Sequence, residues 1–293
     1  MNSAHLIQKC SFVRVGEPAT HGPAIERVID PEIVPFEVWD LMVDGSLWAE
    51  RFYEPGFSLA LRNGIETLRE GRGATRSNGP VPRLVAGFEA VFLSGGRAGE
   101  QRTPAGLDGI AATVAVAVEG VFGGVVGGFH WLRSRGLSGW VLDLGQSQLK
   151  LATHDRQWTF QRDSTRLRAA GEVPPSEIPA QRRRLREFVA LKLQLALAES
   201  QRRPEALVFA LPTRLAADGT PLGGNYAGLR GYREMIPETL ELAALSDVPA
   251  FLLNDAELAA FSARSDPRLA GFRKILVLTL GFGIGAALVC RSD

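Results

Sequence analysis

Asp143-Leu144-Gly145-Gln146-Ser147-Gln148-Leu149-Lys150 puts a carboxylate, a glycine, a hydroxyl and an ammonium into one short segment. Glycine lets the backbone approach a phosphate closely, and the amides and hydroxyl after it can cradle phosphate oxygens. A carboxylate at a strand end can orient Mg2+ or its waters, and a lysine can neutralise transferred charge. An ordinary hairpin would use the same residues. Gly281-Phe282-Gly283-Ile284-Gly285 lies between two apolar runs, and its alternating glycines either leave amides free for phosphates or form a plain hairpin turn. Asn254-Asp255 follows the apolar run VPAFLL and opens a helical pattern. A carboxylate there sits at the carboxyl end of a sheet strand, where open α/β folds bind ligands, and could act as a general base. A helix cap is the alternative. Ser94-Gly95-Gly96-Arg97 ends a further strand and suits either close approach of an adenosine group or a simple turn.

The elements that must position these groups follow from periodicity. Residues 139–144 read as a short apolar strand, and 149–153 and 158–161 as two more, with His154-Asp155-Arg156 turning between them. Apolar positions at helical spacing predict a helix over 178–200, and Ala206-Leu-Val-Phe-Ala-Leu211 predicts a buried strand. A Gly- and Pro-containing loop then leads to a helix over 237–245, a strand over 248–253 and a helix over 256–263. Residues 275–280 and 284–289 form a hairpin. Earlier in the chain, helices are expected near 36–42 and 57–70. The arginines at 182–184 read as a solvated helix face or, alternatively, a phosphate contact. Strands alternating with helices predict an α/β sheet, and three strands before the first helix suit the β-β-β-α-β-α unit of the ribonuclease-H/actin superfold.

Bulk properties narrow the classes. Thirty-three basic against 32 acidic side chains give no electrostatic footprint for nucleic acid or an anionic membrane. The two cysteines, Cys10 and Cys290, cannot build a disulfide framework or a four-thiolate zinc site. The N-terminus MNSAHLIQKC lacks the apolar core of a secretion signal, so a reduced, cytoplasmic setting is expected. Residues 110–132 are almost continuously apolar and long enough to span a bilayer. Their β-branched first half and the following Gly-Gly-Val-Val-Gly-Gly predict instead a buried strand, a tight turn and a close-packed helix.

Together the segments resemble the ROK family of sugar kinases and regulators. The family's Asp-x-Gly-x-Thr-x-x-Lys motif is matched by Asp143, Gly145, Ser147 and Lys150, with serine keeping the hydroxyl. Its Asn-Asp pair is matched by Asn254 and Asp255, and its second phosphate motif by Gly281, Gly283, Ile284 and Gly285. Its sugar loop resembles Leu211-Pro212-Thr213, Asp218-Gly219 and Gly224-Asn225-Tyr226-Ala227-Gly228. The order outside residues 140–289 differs. Moving residues 1–137 behind residue 293 restores the family order, so the resemblance implies a circular permutation, the alternative being a truncated kinase fused to an unrelated N-terminal segment.

The resemblance implies a two-lobed ribonuclease-H/actin-like (ASKHA) fold, with a larger lobe from 1–137, a smaller lobe from 138–262 and a returning hairpin from 263–293. It implies ATP-dependent phosphorylation of a hexose or related sugar, the lobes closing over the substrate. Asp255 would be the general base. Asn254, Asn225 and Gly224 would line the sugar, with Glu17, His21 and Glu50 as further sugar-lobe candidates. Gly145, Ser147, Lys150, Gly281, Gly283 and Gly285 would hold ATP phosphates, Asp143 would orient Mg2+ through water, and Gly95 and Gly96 would border the adenosine. The family's zinc-binding cysteines are absent, so no zinc is expected, and Phe282 replaces a small hydroxyl residue. The implied partners are a sugar and a nucleotide, with a homodimer as the implied assembly and neither nucleic acid nor membrane. Phe282 and the missing cysteines keep a second reading open, a catalytically weak or inactive sugar- or nucleotide-binding regulator on the same scaffold. A third is another phosphotransferase of the superfold, acting on an acyl or amino-sugar substrate.

Overall fold

A computed structural model describes residues 11–14, 24–36, 57–70, 85–96, 98, 107, 109–163, 165–168, 172–200, 202–223, 226–281 and 284–292. The chain runs β1 (Ser11–Arg14), β2 (Ile25–Ile29), β3 (Ile33–Phe36), α1 (Phe57–Arg69), β4 (Ala90–Ser94), β5 (Thr113–Val116) and α2 (Gly123–Ser134). It continues with β6 (Gly139–Leu144), β7 (Gln148–Ala152), β8 (Gln157–Gln161), α3 (Ile178–Glu199) and β9 (Ala206–Leu211). Then come α4 (Met235–Leu242), β10 (Ala250–Asn254), α5 (Asp255–Ser265), β11 (Lys274–Leu280) and β12 (Ile284–Cys290). The protein is α/β, as its alternating pattern predicts.

Two compact units divide the chain: Met1–Pro31 with Gly128–Asp255, and Glu32–Gly127 with Ala256–Asp293. These boundaries differ from the expected 137/138 and 262/263. Strand β2 lies in the first unit, one change of unit falls inside α2, and another follows the first residue of α5.

The first unit holds a seven-stranded sheet in the order β1-β2-β10-β9-β6-β7-β8. Strands β6, β9, β10 and β2 run parallel, whereas β7, β8 and β1 join antiparallel. Every residue of β6 and β9 is buried, the pattern of strands covered on both faces. Trp140, Leu142 and Phe209 pack with Leu185, Val189 and Leu193 of α3 in one core. The second unit holds five strands in the order β3-β12-β11-β4-β5, with its own core around Leu61, Ile65, Leu93, Leu276 and Leu288. Strands from residues 33–116 therefore complete the sheet begun by the C-terminal hairpin.

The two sheets share a path. Counting β6, β7, β8, β9 and β10 as first to fifth gives the spatial order 3-2-1-4-5, and counting β11, β12, β3, β4 and β5 gives it again. Both have an antiparallel hairpin from strands one and two, and both have parallel neighbours from strands four and five.

Boundaries moved where proline intervenes. Strand β10 starts after Pro249, which has no amide for the ladder. Helix α4 begins at Met235 and accommodates Pro237 in its first turn, where no helical donor is needed. It ends early because Ala244 takes φ 56° and the Leu245 amide donates back to the Leu240 carbonyl at 2.8 Å, closing the helix end. Of the helix expected near 36–42, Phe36 is the last residue of β3 and 37–42 lie outside the described residues. The apolar stretch 110–132 divides into β5, a 3-10 turn at Gly120–Phe122 and part of α2. Among the described residues, no helix is long and apolar enough to cross a membrane.

Candidate functional site

In the first unit, the carboxyl ends of β6, β9 and β10 line up side by side. Asp143 is in register with Ala210 on β9, and Leu211 on β9 is in register with Asn254 on β10. The two motif positions are thus two strand spacings apart, about 10 Å. Asp255 follows at once as the first residue of α5. The strand alternation and the parallel register bring together groups that are more than a hundred residues apart in the chain.

Asp143 and Lys150 are cross-strand partners of the β6–β7 hairpin. The Lys150 ammonium donates to the Asp143 carboxylate at 2.7 Å, and both side chains are largely buried. The ion pair ties together two groups to which the motif gives separate tasks, metal orientation and charge neutralisation. Among the described residues, no cluster of three or more His, Cys, Asp or Glu is placed to hold a metal ion. A lone carboxylate still fits Mg2+, which keeps several waters and takes its other ligands from phosphates.

The turn of Gly145, Gln146 and Ser147 is fastened by residues 162–167, which follow β8. The Arg162 amide donates to the Ser147 carbonyl at 2.9 Å, and the Leu167 amide to the Gln146 carbonyl at 3.3 Å. The Gln146 side-chain amide returns a bond to the Leu167 carbonyl at 3.0 Å. The guanidinium of Arg162 donates to the Gly145 carbonyl and, at 2.7 Å, to the Thr165 carbonyl. Gly145 itself has no positive φ; a Cβ there would lie 3.0 Å from the Gln148 carbonyl oxygen, so closeness of the turn favours the glycine. Ser147 is exposed.

Asp255 enters the same neighbourhood electrostatically. Burial pushes the Tyr226 phenol well above its usual value, the Asp255 charge adds to this, and Arg162 and Arg166 oppose it. Burial also pulls Arg162 down to about 10, with Tyr226 acting in the other direction. The Tyr226 phenol thus feels the charge of the carboxylate that opens α5 and that of the guanidinium that holds the Gly145 turn. Asn254 is buried, and its side-chain amide donates to the Thr213 carbonyl at 3.0 Å, holding the start of the loop that follows β9.

That loop is stapled to α3. Arg182 donates to the Gly228 carbonyl at 3.1 Å and to the Arg230 carbonyl at 2.5 Å, with its guanidinium 4.7 Å from the Tyr232 ring centroid. Arg186 donates to Glu238, which also accepts from the Tyr232 hydroxyl at 2.8 Å. Of the run 182–184, Arg183 and Arg184 are exposed as a solvated face should be, whereas Arg182 acts as a clamp, and Arg186 beyond the run is a second one.

In the second unit, Gly95 and the second glycine turn are brought together. Thr279 on β11 is in register with Ser94 on β4 and with Gly285 on β12, and the Gly285 amide donates to the Thr279 hydroxyl at 3.1 Å. Gly95 has φ 98°, and a Cβ there would meet the Leu280 carbonyl oxygen at 2.6 Å. Left-handed backbone and contact with the residue before Gly281 both require glycine. Gly96 is exposed beside it.

Glu17, His21, Glu50, Gly224, Asn225, Phe282 and Gly283 lie outside the described residues. Arg162 and Tyr226 gained no role from sequence. Two arginines four residues apart after a strand were the only signal, and nothing local shows that such a loop folds back under the Gly145 turn. No protein-family model, curated protein or solved structure matches the chain.

Proposed function

We propose that the protein is an ATP-dependent sugar kinase on a circularly permuted ribonuclease-H/actin-like fold, with Asp255 as general base. One observation carries the reading. The Asp143–Lys150 pair, the Gly145 turn and Asp255 gather at the carboxyl ends of β6 and β10 in one parallel set, with Arg162 holding the turn. Parallel α/β sheets bind ligands at that end. The 3-2-1-4-5 order repeated in both sheets supports the superfold, and its second copy closes only when β3, β4 and β5 are counted after β12, which supports the permutation.

In this reading Asp255 accepts the proton of a sugar hydroxyl as that oxygen bonds to the γ-phosphorus of ATP. The bond from the γ-phosphorus to the bridging oxygen breaks, and ADP leaves with the electron pair. Amides of the Gly145 turn hold phosphate oxygens, Lys150 offsets their charge, and Asn254 and the loop it anchors position the sugar. Asp143 would hold Mg2+ through water, and the ion would supply neutralisation of phosphate charge. An assay that couples ADP release to a spectroscopic readout, run across a panel of hexoses and amino sugars, tests the reading. Sugar-dependent ADP release is expected; none with any sugar would overturn it.

The Asp143–Lys150 ion pair favours a second reading, since a carboxylate already neutralised by lysine needs no metal. On that reading the protein is a sugar-binding regulator without turnover. Calorimetry that finds sugar binding but no ATP binding would select it.

A further inference from the structure

Arg162 is 1% exposed, and its guanidinium bonds only to backbone carbonyls, those of Gly145 and Thr165. A buried arginine is ordinarily paired with an acid. Among the described residues no carboxylate hydrogen-bonds or ion-pairs with this one, and its Nε has no hydrogen-bond partner. Two further buried polar atoms of the same turn and loop, Gln146 Oε1 and Thr165 Oγ1, also lack one. Native structures pair almost all buried polar atoms, so three orphans around one turn mark a place where something other than stability sets the residues. Tyr226 supplies no counter-charge, because its raised pKa keeps the phenol neutral. Arg162, pulled down only to about 10, stays charged at neutral pH.

We propose that Arg162 is the fixed cation of the Gly145 turn, a positioning residue that makes its affinity for a ligand depend on the ligand's phosphate charge. The inference rests on the phosphate-binding reading of that turn. Two effects follow from the geometry. Donation to the Gly145 carbonyl polarises the peptide whose N–H belongs to Gln146, which strengthens that amide as a donor to an anion. The bonds from 162–167 to Gln146 and Ser147 hold the turn in place before a ligand arrives, so little reorganisation accompanies binding. Among the described residues no carboxylate pairs with the buried charge, which is offset when an anion binds.

The test compares adenosine, AMP, ADP and ATP binding by calorimetry in the full chain, for the wild type, Arg162→Met and Arg162→Lys. Methionine keeps much of the volume and removes the charge, so ATP and ADP should weaken by about 10–100-fold and adenosine by less than about threefold. Lysine keeps the charge and should hold the ATP-to-adenosine affinity ratio within about threefold of wild type. A merely structural role would weaken all four ligands alike, and that result overturns the inference while leaving the kinase reading standing. If the methionine variant fails to fold, the lysine variant carries the test, and a fall in its ATP-to-adenosine ratio of about tenfold or more overturns the inference. A wild type that binds adenosine and ATP equally well overturns both the inference and the phosphate reading of the turn.

Discussion

The hairpin turn after β6 is gripped by a separate loop, with three backbone carbonyls occupied and a buried guanidinium beneath it. Where β11 ends and β12 begins, the Gly285 amide donates to the Thr279 hydroxyl, and Gly95 packs directly against the Leu280 backbone. The same strand order thus supports two differently equipped turns, one built around fixed charge and the other around close backbone approach. The ends of the fifth strands differ as well: Asn254-Asp255 follows in the first sheet, whereas an exposed Val118-Glu119 turn follows in the second. A repeated path therefore fixes where chemistry can be placed, and the side chains decide which copy carries it.

The most direct way to break that comparison is to exchange the acids at the two fifth-strand ends. Asp255→Asn should lower sugar phosphorylation by about 1,000-fold with ATP affinity unchanged, whereas Glu119→Gln should leave the rate within about twofold. Steady-state kinetics with calorimetry on both variants measures this. Equal losses in both would erase the distinction.

The helices that follow the fifth strands sharpen it next. Within the second unit, a Cβ on Gly127 of α2 would lie 2.1 Å from the Leu258 carbonyl oxygen and 2.7 Å from the Ser262 amide of α5. Neither backbone atom can rotate away, so Gly127→Ala should destabilise the protein by about 2–3 kcal/mol, read from denaturant unfolding. An unchanged midpoint would mean that these helices do not pack this closely.

The smallest effect concerns the clamp on the loop after β9. Burial pushes the Glu238 carboxyl up, but hydrogen bonds from Arg186 and Tyr232 outweigh it and hold it below its usual 4.5. A lowered folded pKa gives stability that is present above the unfolded value and lost as pH falls through the folded one. Glu238→Gln should therefore be less stable than wild type by under about 1 kcal/mol at neutral pH, with the gap closing below pH 4.5. Thermal melts across pH 3–7 follow it, and a gap that widens in acid would contradict the clamp.

Much of the fold was legible because local signals agree with it. Residues 139–161 show hydrophobic runs broken by a His-Asp-Arg turn, and the structure places β6, β7 and β8 there within a residue. Strand β9 falls where its six apolar residues predict. Of the site, the Asp143, Gly145 and Asp255 positions were readable because motif residues sit at strand ends. The Asp143–Lys150 pair follows from hairpin register, which a motif read as a string of separate tasks hides. Arg162 was unreadable for a different reason. Its importance comes from a loop that crosses under a turn some fifteen residues earlier, and periodicity carries no information about such returns. In the arginine run of α3, Arg183 and Arg184 lie on the solvent face that the run shows, and only the carbonyls met by Arg182 were hidden from it.

A crystal of the protein with a non-hydrolysable ATP analogue and glucose tests the central claim. The account predicts the analogue's phosphates on the amides of Gln146 and Ser147, with a glucose hydroxyl about 2.6–3.2 Å from the Asp255 carboxylate. Phosphates bound away from that turn, or a sugar held without approach to Asp255, would contradict it.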